Sequence, residues 1–244
     1  MSEILMIVGF CFLAYLLCSI PFGKIIGRSK ISNERMVDPQ KEGSGNIGAT
    51  NLFRVAGPLK AVITGALDVG KAALPVFLAI RILQLDIQND LRSNLIILLI
   101  IIFAFLGSIF PVWLKFRGGK GVSVLLGSIL VILGWQWLIV AASWICVIFI
   151  ATMVKRRRLV SVGSLALPSI LLPLFGFLWS IPFFYFLWLP ATILIFWSHR
   201  ENIQRLRKGT EGDPIKINFN NLILKAKQII ERIAWLKGTK IKMP

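Results

Sequence analysis

Two glycine-rich stretches set among long apolar blocks have the composition of an oxyanion site. GSGNIGATN, residues 43–51, holds three glycines, Ser44, Thr50, Asn46 and Asn51 without one charge, and Arg54 follows three residues later. Small residues allow backbone N–H groups to approach an oxyanion closely, and a guanidinium can hold a phosphate through two parallel hydrogen bonds. In the second stretch Gly118, Gly119 and Gly121 surround Lys120, just before a helix expected to begin near Val122. Backbone donors, a helix N-terminus and an ammonium together favour phosphate. The spacing is not that of a Walker A loop. Each stretch alone also reads as an ordinary turn: glycine, serine and asparagine favour turns for backbone reasons, and GGKG could be a basic topology anchor.

Other polar groups stand at or within the apolar blocks. His199, the single histidine, lies at the end of the last block, and Asn202 would share its helix face if the helix continues. A histidine at a helix end is also often just a polar terminus. Asp68 and Lys71, at i and i+3 within a block, suit a structural ion pair, with a pocket role as the alternative. Cys11, Cys18 and Cys146 fall in apolar blocks at no metal spacing and read as buried small hydrophobes. No metal site and no cofactor are expected.

The elements that must position these groups are membrane spans. The 244 residues are 56% hydrophobic with a net charge of +17. The apolar residues form blocks at 4–23, 59–83, 94–114, 122–154, 159–177 and 182–198. As one helix, 122–154 would be about 50 Å long against a hydrocarbon core of about 30 Å. Gly134-Trp135-Gln136-Trp137 near its middle reads as an interfacial turn, which divides the block in two. The expectation is an all-α polytopic membrane protein with seven transmembrane helices. Segments 24–58, 115–121, 155–158 and 199–244 then share one side and carry nearly all loop Lys and Arg, including Lys155 to Arg158; in the opposite loops Arg92 stands alone. Positive charge marks the cytoplasmic side, so the N-terminus is expected outside and the C-terminus inside. The first block lacks a basic leader and a small-residue cleavage site and reads as an anchor rather than a signal peptide. The basic residues accompany no nucleic-acid motif, so nucleic acid is not expected as a partner.

Residues 1–212 form the expected membrane domain, and 213–244 an extension. In that extension Phe219, Leu222, Ile223, Ala226, Ile229, Ile230, Ile233 and Leu236 recur at helical spacing among basic residues. The pattern suits a basic amphipathic helix lying on the inner leaflet, or one packed against a partner.

Taken in order, GSGNIGATNLFRVAG (43–57), FPVWLKFRGGKGVS (110–123), VSVGS (160–164) and SHRENIQRLRKGTE (198–211) resemble the bacterial acyl-phosphate:glycerol-3-phosphate acyltransferases, the PlsY family, over about residues 4–212. The resemblance implies transfer of a fatty acyl group from acyl phosphate to the 1-hydroxyl of glycerol 3-phosphate. The products would be lysophosphatidic acid and phosphate, as the first step of phospholipid synthesis. It also implies seven spans of the bacterial inner membrane with a cytoplasmic site, and a functional link to the soluble enzyme that makes acyl phosphate. By matching motif, Ser44, Arg54, Lys120 and His199 would be catalytic. Asn46, Thr50, Asn51, Gly118, Gly119, Gly121, Ser164 and Asn202 would bind substrate. The chain departs from the family pattern at Ser108, where a histidine is common, at Gly163, and in the added residues 213–244.

Two rival classes differ in visible features. Acyltransferases that use acyl-CoA or acyl carrier protein carry His-x4-Asp, and here Gln204 stands five residues after His199. A transporter or binding protein for a phosphate-bearing anion would place its site near the midplane between internal repeats. The polar motifs here gather at one rim, and no repeat relates the two halves.

Overall fold

The computed structural model describes residues 2–31, 34–87, 89–153 and 164–208. The basic extension 213–244 and the Lys155–Arg158 run lie outside the described residues. The elements in chain order are α1 (Glu3–Ser19), α2 (Phe22–Arg28), α3 (Ala49–Val55), α4 (Pro58–Ile82), α5 (Leu91–Ile109), α6 (Val122–Leu133), α7 (Trp137–Met153), α8 (Leu172–Leu178), α9 (Phe183–Ser198) and α10 (Arg200–Arg207). A π-turn, Leu167–Leu171, leads into α8.

Among the described residues four helical stretches are long and apolar enough to cross a membrane: Glu3–Arg28, Pro58–Ile82, Leu91–Leu114 and Val122–Val147. Leu167–Leu178 and Phe183–Ser198 are apolar but shorter. The Val122–Val147 stretch is not one straight rod. α6 stops at Leu133, Gly134 takes φ +57°, and the Trp137 indole Nε1 donates to Leu126 O at 2.8 Å. Eleven residues of continuous helix would separate those two positions by about 16 Å along the axis. The chain therefore folds back beside α6, at the turn expected from Gly134-Trp135-Gln136-Trp137.

α5 is the centre of the bundle. Its Ile97, Ile100, Ile101, Ala104 and Phe105 are buried, and α1, α4, α6 and α9 pack against it. Between apolar helices in lipid, close approach of backbones supplies much of the attraction. Two glycines permit it here. A Cβ on Gly107 would stand 2.2 Å from Tyr15 O of α1, and one on Gly127 would stand 2.3 Å from Val69 O of α4.

The Asp68–Lys71 pair forms as expected, at 2.7 Å with both side chains nearly enclosed. Lys71 Nζ also donates to Ile20 O at 2.7 Å, tying α4 to the break between α1 and α2. One cysteine expectation needs correction. Cys11 and Cys18 are buried, but Cys146 is exposed on the outer face of α7. At the end opposite the glycine loops, Asp90 caps α5 by accepting from the Arg92 and Ser93 N–H groups, and Arg92 pairs with Glu3 of α1. Arg81, in the last turn of α4, adds a second cation at that end beyond the Arg92 counted from the loops.

Candidate active site

The first loop is organised around Asn51. Its side chain is 2% exposed, its Oδ1 accepts the Ser44 N–H at 2.8 Å, and its Nδ2 faces the carbonyls of Pro39, Glu42 and Asn46 at 2.8–3.0 Å. The Asn51 amide, expected from the sequence to bind substrate, here folds the loop. Asn46 Oδ1 accepts the Gly48 N–H at 2.9 Å, an Asx turn that leads the chain into α3. Ser44, Asn46 and Arg54 are half-buried and Thr50 is exposed.

Three contacts fix this loop and the segment leading into it to the helices. Ile47 O lies against Gly23 of α2 so closely that a Cβ there would stand 1.7 Å from it. Lys60, in the first turn of α4, is fully buried and donates to Gly27 O at 3.1 Å and Arg35 O at 2.8 Å. The Glu34 carboxylate accepts from the Leu59 and Lys60 N–H groups at 2.9 and 3.0 Å, capping α4 from a distant loop.

The second loop folds back on the end of α5. The Gly119 N–H donates to Ser108 O at 2.8 Å and the Gly118 N–H to Ile109 O at 3.1 Å. Those two N–H groups hold the loop in place and are not aimed at a ligand, which corrects the reading of GGKG as a run of converging donors. The donors that suit an anion are instead those of the first turn of α6. Its first i→i−4 bond runs from Leu125 N–H to Gly121 O, so the amides before it have no acceptor within the helix. Gly121 sets the angle of entry. It takes φ +79°, and a Cβ there would stand 2.6 Å from the Phe105 ring.

The third segment is the bend after α9. The Ser198 hydroxyl lies 2.9 Å from Lys120 O and 2.8 Å from Ile195 O. His199 is 1% exposed, and its Nδ1 lies 2.8 Å from Ile195 O. A carbonyl can only accept, so Nδ1 carries a proton and Nε2 is the acceptor of the neutral ring. α9 and α10 are not one continuous helix: the chain bends at His199, with φ −93° and ψ 3°. Asn202 is nevertheless 3% exposed beside it in α10. Ser164 is half-buried, and the four residues before it in VSVGS lie outside the described residues.

These segments meet at one end of the bundle. Ser198 joins the third to the second through Lys120 O. Ile47 of the first loop lies 3.9 Å from where a Cβ on Gly119 would stand, and the Gln40 amide donates to Arg117 O at 3.3 Å. The loop that leads to Arg54, the loop that bears Lys120 and the bend at His199 thus abut one another, though they are drawn from positions far apart in the chain. Among the described residues no three His, Cys, Asp or Glu side chains are grouped to hold a metal. The sequence reading missed Lys60, Glu34, Gln40 and Ser198. Lys60 was visible as a lone charge opening an apolar block, whereas Glu34 and Gln40 carried no signal.

A family model described as glycerol-3-phosphate acyltransferase matches residues 8–209. The chain is 39% identical over 200 residues to the glycerol-3-phosphate acyltransferase of Rhodopseudomonas palustris (strain HaA2), covering 82% of this chain and 91% of the relative. It is 36% identical to that of Coxiella burnetii (strain Dugway 5J108-111), covering 84% and 96%. Among solved structures it is similar to PlsY (YgiH), described as an integral membrane glycerol 3-phosphate acyltransferase. The glycerol 3-phosphate form gives a TM-score of 0.68 at 30% identity, covering 85% of this chain and 95% of that one. The lysophosphatidic acid form gives 0.67 at 29%, with the same coverage.

Proposed function

Because the chain belongs to the glycerol-3-phosphate acyltransferase family, in its PlsY type, we propose that it transfers a fatty acyl group from acyl phosphate to the 1-hydroxyl of glycerol 3-phosphate. The products are lysophosphatidic acid and inorganic phosphate, and the reaction opens phospholipid synthesis. The observation that carries this reading is the Ser198–Lys120 contact, which brings the His199 bend against the glycine-lysine loop. The first loop, which bears Ser44 and leads to Arg54, abuts the second at Ile47 and Gly119, an arrangement that suits a site holding two phosphates at once.

The chemistry asks little of a nucleophilic side chain. Acyl phosphate is a mixed anhydride with a good leaving group, so no covalent acyl-enzyme is required. The demand is for position: the acceptor hydroxyl must stand against the acyl carbonyl while two like-charged groups lie side by side. Arg54 and Lys120 supply the charge, and the first-turn amides of α6 supply oriented donors. Ser44, Asn46, Thr50, Ser164 and Asn202 complete the polar lining, with Gly118, Gly119 and Gly121 setting the course of the second loop. The hydroxyl oxygen bonds to the acyl carbon, and the bond from that carbon to the phosphate oxygen breaks. The hydroxyl proton passes to the departing phosphate. His199 Nε2 accepts a hydrogen bond from glycerol 3-phosphate and orients it.

The same reading takes the chain across the bacterial inner membrane seven times, N-terminus outside, with the site cytoplasmic. The reversal at Gly134 and the crowding of cations at the site end favour it. The acyl donor then comes from a soluble acyl-phosphate-forming enzyme, and the acyl chain enters from the bilayer.

Purified protein in lipid, supplied with acyl phosphate, acyl-CoA or acyl carrier protein, tests the proposal. Phosphate released from acyl phosphate only when glycerol 3-phosphate is present supports it. Equal use of acyl-CoA would overturn the choice of donor.

A further inference from the structure

The turn joining α5 to the glycine-lysine loop is held in an uncommon shape. Lys115 takes φ +52° and Phe116 φ +62°, two consecutive left-handed residues without a glycine between them. A bulky residue there is an outlier, and such conformations cluster at functional places. The turn is closed by three bonds: Leu114 and Phe116 N–H to Pro111 O, and Arg117 N–H to Leu114 O. As a result Trp113 and Phe116 stand 63% and 59% exposed, interleaved with exposed Lys115 and Arg117.

The surface continues onto the end of α9. Phe110, just before the turn, packs on Trp197 with ring centroids 5.1 Å apart, and the Arg200 guanidinium lies 3.9 Å from the Trp197 ring. Among the described residues neither Lys115, Arg117 nor Arg200 pairs with a carboxylate. Aromatic rings settle at headgroup depth, and basic residues near a membrane surface attract anionic lipid. One alone would be an ordinary interfacial belt. Here rings and cations alternate on a turn whose last residue, Arg117, adjoins Gly118 and accepts from Gln40 through its carbonyl.

We propose that this collar is a docking surface for anionic phospholipid headgroups of the surrounding leaflet, and that lipid seated on it sets the position of the glycine-lysine loop. The inference deepens the acyltransferase reading and rests on it for its activity readout. Binding itself can be read separately.

The test uses the full chain in nanodiscs of phosphatidylcholine with a rising fraction of phosphatidylglycerol, comparing wild type with Lys115→Ser/Phe116→Ser. Wild-type acyl transfer is expected to rise several-fold with the anionic fraction. The double variant is expected to match wild type in pure phosphatidylcholine and to lose most of the rise. Native mass spectrometry should show the variant retaining phosphatidylglycerol about fivefold more weakly, the factor one basic residue near an anionic surface contributes. Equal retention, or an unaltered rise in the variant, overturns the proposal. If wild type transfers no acyl group in any membrane while the retention difference persists, the collar stands and the acyltransferase reading fails.

Discussion

The Ser198 hydroxyl bonds the carbonyl of Lys120, 78 positions earlier in the chain, at 2.9 Å. This contact carries no charge and touches no predicted reacting atom, yet it sets the loop bearing the Lys120 ammonium against the bend bearing His199. Losing one such bond costs about 1 kcal/mol. Ser198→Ala should therefore lower kcat/KM about fivefold with the fold intact, and Ser198→Thr should restore most of it. Steady-state kinetics in detergent decides the matter, and an unchanged value in the alanine variant would remove Ser198 from the positioning of the loop.

Asn51 is the keystone of the first loop and gives a test in which two isosteres part. Its Nδ2 donates toward three carbonyls, and Ser44 N–H requires its Oδ1. Asn51→Ala should destabilise the protein by about 1–3 kcal/mol, the cost of leaving buried groups without partners. Asn51→Asp should be no better despite its shape, because a carboxylate cannot donate and would face three oxygens. The measurement is thermal unfolding without substrate. A residue that only bound ligand would leave that unfolding unchanged.

The all-helical, membrane-spanning character was legible because membrane physics writes it into composition. Long apolar blocks gave the main helices, and Gly134-Trp135-Gln136-Trp137 marked the fold-back now seen through the Trp137–Leu126 bond. His199 and Asn202, singled out for their place at the end of the last apolar block, are both buried, and the chain bends between α9 and α10 rather than continuing as one helix. What stayed hidden was which polar groups serve the loop rather than a ligand. Asn51 and Ser44 look alike in sequence, and only the path of the chain commits the Asn51 amide to backbone carbonyls. The N–H groups of Gly118 and Gly119 were misjudged for the same reason, since their acceptors lie on α5. Glu34 capping α4 across 25 residues has no local pattern at all.

Asp68 and Lys71 are a pair enclosed within the bundle, with 12% and 7% of their side chains exposed. Removing one partner leaves a buried charge, which typically costs about 3–5 kcal/mol. Lys71→Met should thus destabilise strongly, and adding Asp68→Asn should recover much of the loss. If the double variant folds well but is inactive, the pair serves the site as well as the fold. Expression yield and unfolding midpoint, measured alongside activity, separate these outcomes.

At the far end of the bundle the Asp90 cap gives a pH signature. The Ser93 hydroxyl and N–H, with the Arg92 N–H, hold the Asp90 carboxyl below the ordinary aspartate range. A depressed folded-state pKa stabilises above the unfolded value, and that contribution fades as pH falls through the folded value. Wild type should be more stable than Asp90→Ala at neutral pH, and the two should converge under acid. A difference that stays constant down to the lowest pH would show that the charge of Asp90 is not what caps the helix.

His199 offers the sharpest test of how the proton moves. Its Nδ1 is held to Ile195 O, which fixes the orientation of the ring in a nearly sealed position. General base catalysis contributes about 10²–10⁴-fold, whereas an orienting hydrogen bond is worth about tenfold or less. If phosphate takes the proton, His199→Ala should weaken the apparent affinity for glycerol 3-phosphate about tenfold and slow turnover at saturation by no more than about tenfold. Turnover should also keep the wild-type pH dependence, because no titrating base has been removed. A slowing of about a thousandfold or more, with loss of the acidic limb of the pH–rate profile, would instead make His199 the base. Loss of the Ile195 contact could perturb α9, so His199→Gln provides the control. Its amide can offer a donor toward Ile195 O or an acceptor toward substrate but cannot act as a base near neutrality, so near-normal turnover in that variant would settle the role as orientation.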